Sequence, residues 1–312
     1  MQFLVTLVVL TLFLAPAIGQ KSQKAADLYN SGLRKQENGD LNGALADYDK
    51  ALALEPRLAD AYNNRANIKL QQGDLDGAIN DYGKAIELKP RSVETYFNRG
   101  VVRMQKGDNN EAIADFTSAI QLVPEFAMAY NNRGNARKSK GDTEGAISDY
   151  TRAIEFNPRL TIAYYNRGAA YQAKEDHAAA IRDYTSALEA APQFVEAYIN
   201  RAQVRQSQRD FDNAIGDYSK AIELRPDAGV YYARATARQA KQDLNGALAD
   251  YSTAISLHPN LAAAYTSRAV IETLQDKKTE AIQDFEKAFK IDPSLRKTFK
   301  DFIDKRLDAR AP

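Results

Sequence analysis

Residues 59–92 read ADAYNNRANIKLQQGDLDGAINDYGKAIELKPRS, and this stretch decides the fold. Ala61, Tyr62, Ala66 and Ile68 make one apolar face at helical spacing. Leu75, Ala78, Ile79, Tyr82, Ala85 and Ile86 make a second. Between them lies Gly73-Asp74, a glycine able to end one helix in the left-handed conformation and a carboxylate able to cap the next. Pro90 closes the stretch, because the residue before a proline is pushed out of the α region. The stretch therefore predicts a helix hairpin.

Outward from this hairpin the same text recurs. Prolines stand at 56, 90, 124, 158, 192, 226, 259 and 293, at intervals of 34 residues with a single interval of 33. The Gly-Asp punctuation returns at Gly39-Asp40, Gly107-Asp108 and Gly141-Asp142. Six residues after a proline comes a tyrosine, at Tyr62, Tyr96, Tyr130, Tyr164, Tyr198 and Tyr265, with Tyr231 one place early and Leu28 in the first hairpin. A second aromatic column holds Tyr48, Tyr82, Phe116, Tyr150, Tyr184, Tyr218, Tyr251 and Phe285. These columns take 13 of the 17 tyrosines, so the rings read as wedges between helices rather than as a base-stacking or cofactor surface.

The shared text, A-Y-x-N-R-G followed by G-D-x-x-x-A-I-x-D-Y-x-x-A-I-x-L-x-P, resembles the tetratricopeptide repeat. The resemblance runs from Ala25 to Pro293. It departs at Ser31, where other hairpins have Arg, and in the shortened loop Asp227-Ala228-Gly229. It implies an all-α fold, an α-solenoid (right-handed superhelix) of eight helical hairpins, with the first helix of each lining a concave groove. The expected repeats are 25–58, 59–92, 93–126, 127–160, 161–194, 195–227, 228–261 and 262–293, within a repeat region of 20–293. Residues 294–312 are expected to form a capping helix and tail, because Leu295, Phe299, Phe302, Ile303 and Leu307 make an apolar stripe that would cover the end of the stack.

The first residues read differently. Phe3 to Leu14 is an apolar run without charge, and Ala17-Ile18-Gly19 has small residues at signal-peptidase spacing, so residues 1–19 are expected to be a signal peptide. Cleavage after Ala17 is a second possibility, and an uncleaved segment would make a membrane anchor. The chain has no cysteine and no Asn-x-Ser/Thr acceptor, so export is expected to be to a bacterial periplasm or to the outside, with the bacterial envelope favoured.

Composition excludes several function classes. Lys and Arg number 42 against 41 Asp and Glu, a net +1, which lacks the footprint of a nucleic-acid binder. Without cysteine there is no thiol catalysis, Cys-zinc site or iron-sulfur cluster. His177 and His258 are far apart in sequence and neither has a second histidine at metal-ligand spacing. No phosphate-cradling glycine loop occurs, and Ser294-x-x-Lys297 has no companion motif. No metal, cofactor or catalytic activity is expected.

Three columns remain as candidates for function. Arginine recurs at 65, 99, 133, 167, 201, 234 and 268, matched by Asp81, Asp115, Asp149, Asp183, Asp217, Asp250 and Asp284, a pattern read as Arg-Asp pairing between the helices of a hairpin. Asparagine recurs at Asn30, Asn64, Asn98, Asn132, Asn166 and Asn200, then gives way to Ala233 and Ser267. Two readings fit this column: a ladder offering donor and acceptor to the backbone of an extended peptide, as in family members with such a ladder, or local satisfaction of the fold. Projected onto the groove, Phe97, Val101, Met104, Met128, Ile162, Tyr165 and Ile199 form an apolar group flanked by Asn and Gln. The family's clamp for acidic tails needs Lys and Arg where this chain has Asp60, Asn63, Glu94, Phe97 and Asn131, so that activity is not expected. The reading is a non-catalytic exported scaffold that binds protein or extended peptide, the alternative being an oligomerising structural component of a cell-envelope assembly.

Overall fold

The computed structural model describes residues 3–307, with side chains from residue 20 onward. The signal-peptide reading of residues 1–19 thus falls outside the described side chains, and the tail after residue 307 outside the described backbone. Every regular element among the described residues is a helix. Contacts gather into two compact units, residues 1–160 and 161–312.

The first unit holds α1 (Phe3–Glu37), α2 (Leu41–Leu54), α3 (Ala59–Gln71), α4 (Leu75–Leu88), α5 (Val93–Lys106), α6 (Asn109–Leu122), α7 (Ala127–Ser139) and α8 (Thr143–Phe156). The second holds α9 (Thr161–Ala173), α10 (His177–Ala190), α11 (Val195–Ser207), α12 (Phe211–Leu224), α13 (Ala228–Ala240), α14 (Leu244–Leu257), α15 (Ala262–Leu274), α16 (Lys278–Ile291) and α17 (Leu295–Arg306). Within each unit an odd-numbered helix packs on the even-numbered helix that follows it, and that helix packs on the next hairpin. Each unit is thus an α-solenoid segment of stacked hairpins. At the end of the second unit, Leu295, Phe299, Phe302 and Ile303 of α17 lie against Phe285 and Phe289 of α16.

Local chemistry sets the hairpin ends. Gly39, Gly73, Gly107 and Gly141 have φ of +81°, +81°, +91° and +84°, a conformation in which a side chain is strained. Asp40, Asp74 and Asp142 then accept a hydrogen bond from the backbone N–H of Gly43, Gly77 and Gly145, capping the second helix. Asp108 departs from that expectation: no side-chain bond caps α6. Before the prolines the chain leaves the α region, as at Glu55, Lys89 and Val123, and the helix stops. In the shortened seventh loop Asp227 accepts from Gly229 and Val230, so a side-chain cap starts α13 despite the missing residue.

Candidate functional site

The Arg and Asp columns meet as forks. In seven hairpins Arg Nε and Nη2 donate to the two carboxylate oxygens of the Asp on the facing helix, as Arg133 does to Asp149 at 3.0 and 2.7 Å. The same geometry joins Arg65 to Asp81, Arg99 to Asp115, Arg167 to Asp183, Arg201 to Asp217, Arg234 to Asp250 and Arg268 to Asp284. Each guanidinium also lies over the ring of the tyrosine three residues earlier, from Tyr62 to Tyr265. In four of them the remaining nitrogen reaches the preceding hairpin, bonding Thr117 from Arg133, Thr185 from Arg201, Ser219 from Arg234 and Ser252 from Arg268. Hydrogen bonding to Asp81 holds the Arg65 guanidinium even further above the usual arginine range. The first hairpin has no Arg, and there Ser31 and Lys35 both bond Asp47, with Lys35 the larger cause of its lowered pKa. Most donors of the guanidinium stack are therefore bonded inside the protein.

The two aromatic columns differ in depth. Tyr48, Tyr82, Phe116, Tyr150, Tyr184, Tyr218, Tyr251 and Phe285 are the largest buried side chains, and burial raises the tyrosine hydroxyls, that of Tyr48 to about 12. The fit is close: a Cβ on Gly134 would stand 2.7 Å from the Tyr150 ring. Each buried hydroxyl donates to a carboxamide of the first helix, Gln36, Asn67, Asn135, Gln172, Gln206 or Gln239. Where the ring is Phe116 and has no hydroxyl, the side chains packed against it are apolar Val101 and Met104. The other column, which includes Tyr62 and Tyr96, is mostly half-buried, Tyr130 and Tyr265 being the buried members.

The residues singled out for peptide binding separate into committed and uncommitted sets. In the first unit Phe97 lies tilted against Phe116 and Phe126, with centroids 5.8 and 5.0 Å away, and Met104 packs in the same cluster. In the second, Tyr165 lies tilted against Tyr184 and Phe194 at 5.8 and 4.8 Å, and Ile199 packs on the cluster around Tyr218. By contrast Met128 and Ile162, each in the first turn of its helix, expose 39% and 38% of their surface. Asn64 donates to the Tyr29 hydroxyl and Asn200 to that of Tyr165, both at 3.1 Å, while Asn132 accepts from Asn131. Asn166, half-buried on α9, also has a partner. Asn98 is half-buried on α5 with no side-chain partner among the described residues.

One further column escaped the sequence reading. Lys69, Arg103, Arg137, Arg205 and Arg238 each place a second cation on the buried Asp of their hairpin, and Lys35 places the one cation on Asp47. Tyr171 and Glu272 occupy that position in the fifth and eighth hairpins. The signal was the same 34-residue spacing that marks the other columns. Among the described residues no group of His, Cys, Asp and Glu is arranged to hold a metal ion, and no helix is long and apolar enough to cross a membrane.

Family models cover most of this architecture. The TPR repeat model matches residues 32–73, 66–107, 102–141 and 134–175, and tetratricopeptide repeat models match 161–194, 195–227 and 232–295. The chain belongs to the tetratricopeptide repeat family, a class of protein-interaction scaffolds. Among solved structures it is similar to a MamA protein, with 30% identity over 53% of this chain and 91% of that one and a TM-score of 0.50. The C-terminal part of a TPR repeat-containing protein from Cytophaga hutchinsonii shares the fold at 20% identity, covering 76% of this chain and 97% of that one with a TM-score of 0.65. YrrB, described as a TPR protein with an unusual peptide-binding site, shares it at 24% identity, 62% and 97% coverage and a TM-score of 0.50. Curated proteins gave no match.

Proposed function

We propose that the chain is an exported, non-catalytic scaffold whose first-helix side chains receive a protein or extended peptide. The observation that carries this reading is what remains after internal pairing. The Tyr, Arg and Asp columns are spent inside the hairpins. Met128 and Ile162 stay exposed, and the Asn98 carboxamide has both donor and acceptor to give. A carboxamide of that kind meets one backbone amide of an extended chain without reading its side chain, and an exposed apolar group adds selection. Peptides from a random display library selected on the full chain should lose binding to the Met128→Asp variant. Equal retention by the variant would remove this surface from the reading. Export is tested separately by intact mass, which should lack residues 1–19; a species in the membrane fraction that begins at Met1 would make the segment an anchor.

The second reading, an oligomerising element of an envelope assembly, draws on exposed Leu257, Leu274 and Ile282 in the second unit. Light scattering separates the two, since a monomer at all concentrations contradicts the second.

A further inference from the structure

In six hairpins a Lys or Arg lies one helical turn after the Arg column position and adds its charge to the buried Asp. In the last hairpin an acid, Glu272, takes this place. Its Oε1 is 4.0 Å from Nε of Arg268, whose fork is already bonded to Asp284, and its Oε2 is buried with no hydrogen-bond partner. Two carboxylates thus compete for one guanidinium. An ionised Glu272 would keep a buried charge without a donor, whereas a protonated carboxyl carries none.

We propose that Glu272 is a proton switch built into the C-terminal hairpin, closed when its carboxyl is protonated and loosened when it ionises. The charged groups acting on it are Asp284 and Glu280 of α16, Arg268 of α15 and Lys277 of the connecting turn. From α14 comes the neutral Ser252 hydroxyl, bonded to Arg268. Burial is the largest influence and, with Asp284 and Glu280, pushes the carboxyl up to about 7 against the pull of Arg268 and Lys277. An acid raised in the folded state contributes stability that is whole below its unfolded pKa, near about 4.3, and is lost as pH rises towards the folded value. The window therefore opens from mildly acidic to neutral pH. Loosening reaches α17, because Phe285, adjacent in sequence to Asp284, carries Phe299 and Phe302 of that helix at 5.4 and 6.1 Å.

Amide hydrogen exchange on the full chain tests this, corrected for intrinsic rates and followed from about pH 5 to about pH 8. Protection in α15 and α16 should fall on the order of 100-fold, while α13 and α14, where Arg238 holds the equivalent place, provide the internal reference. Glu272→Gln should abolish the difference, and Glu272→Lys should restore the cation and raise protection at the alkaline end. The same loss in Glu272→Gln as in the unaltered protein would overturn the proposal. Carboxyl carbon NMR of the unaltered protein decides without any variant: a Glu272 midpoint near neutrality supports the switch, and one near about 4.3 ends it.

Discussion

The first unit closes its four hairpin turns with Gly39, Gly73, Gly107 and Gly141, whereas the second places Glu175, Arg209, Gln242 and Asp276 at φ of +61°, +61°, +70° and +60°. The column of Lys or Arg one helical turn after the Arg column is likewise complete in the first unit and interrupted by Tyr171 and Glu272 in the second. Yet the buried rings run through both, and the Arg-Asp fork is the same in every hairpin but the first. The difference teaches that packing between helices specifies the hairpin, while turn residues and extra cations adjust its stability. A left-handed residue other than glycine costs roughly 1–2 kcal/mol, so the second unit carries strain that the first avoids.

Four substitutions probe this comparison at its strongest points, the largest effect coming from the rings. Tyr150→Ala in the first unit and Tyr218→Ala in the second should each lower stability by about 3–5 kcal/mol, since both empty a large buried site. Urea denaturation followed by circular dichroism gives the values, and a tolerant site in either unit would break the equivalence of the columns. The forks come next. Arg167→Met leaves Asp183 without a hydrogen-bonded cation and should cost about 3 kcal/mol, whereas after Arg133→Met Asp149 keeps Arg137 and the loss should be nearer 1 kcal/mol. Equal losses in the two denaturation curves would mean that the second cation does nothing for the buried carboxylate.

The smallest effects sharpen the contrast of the turns. Gly73→Ala should destabilise by about 1 kcal/mol, and Glu175→Gly should stabilise by less than that, because glycine also loosens the unfolded chain. Thermal melting of both variants checks the opposite signs. A stabilising Gly73→Ala would remove the strain argument from the comparison.

Much of this was legible in the amino-acid text. Pro90, Gly73-Asp74 and the Tyr82 column mark a hairpin through local chemistry, and their recurrence marks the stack. The turns at Glu175 and Arg209 were not legible, because packing forces these residues into a conformation that their own side chains do not favour. The asparagine column was legible only as a spacing. Asn64 reaches Tyr29 and Asn200 reaches Tyr165 across 35 residues, and such a bond depends on how neighbouring hairpins stack. Asp108 shows the reverse case, a capping residue present in sequence that makes no capping bond.

The central claim is that the repeated columns hold the fold while the uncommitted first-helix side chains do the binding. Calorimetric titration of a display-selected peptide into the Asn98→Ala, Met128→Ala protein tests it, with a melting curve recorded on the same sample. The account predicts affinity lower by about tenfold or more, from two lost contacts of about 1 kcal/mol each, with the melting temperature unchanged. Unchanged affinity with a lowered melting temperature would contradict it, assigning these side chains to the fold and recognition to another surface.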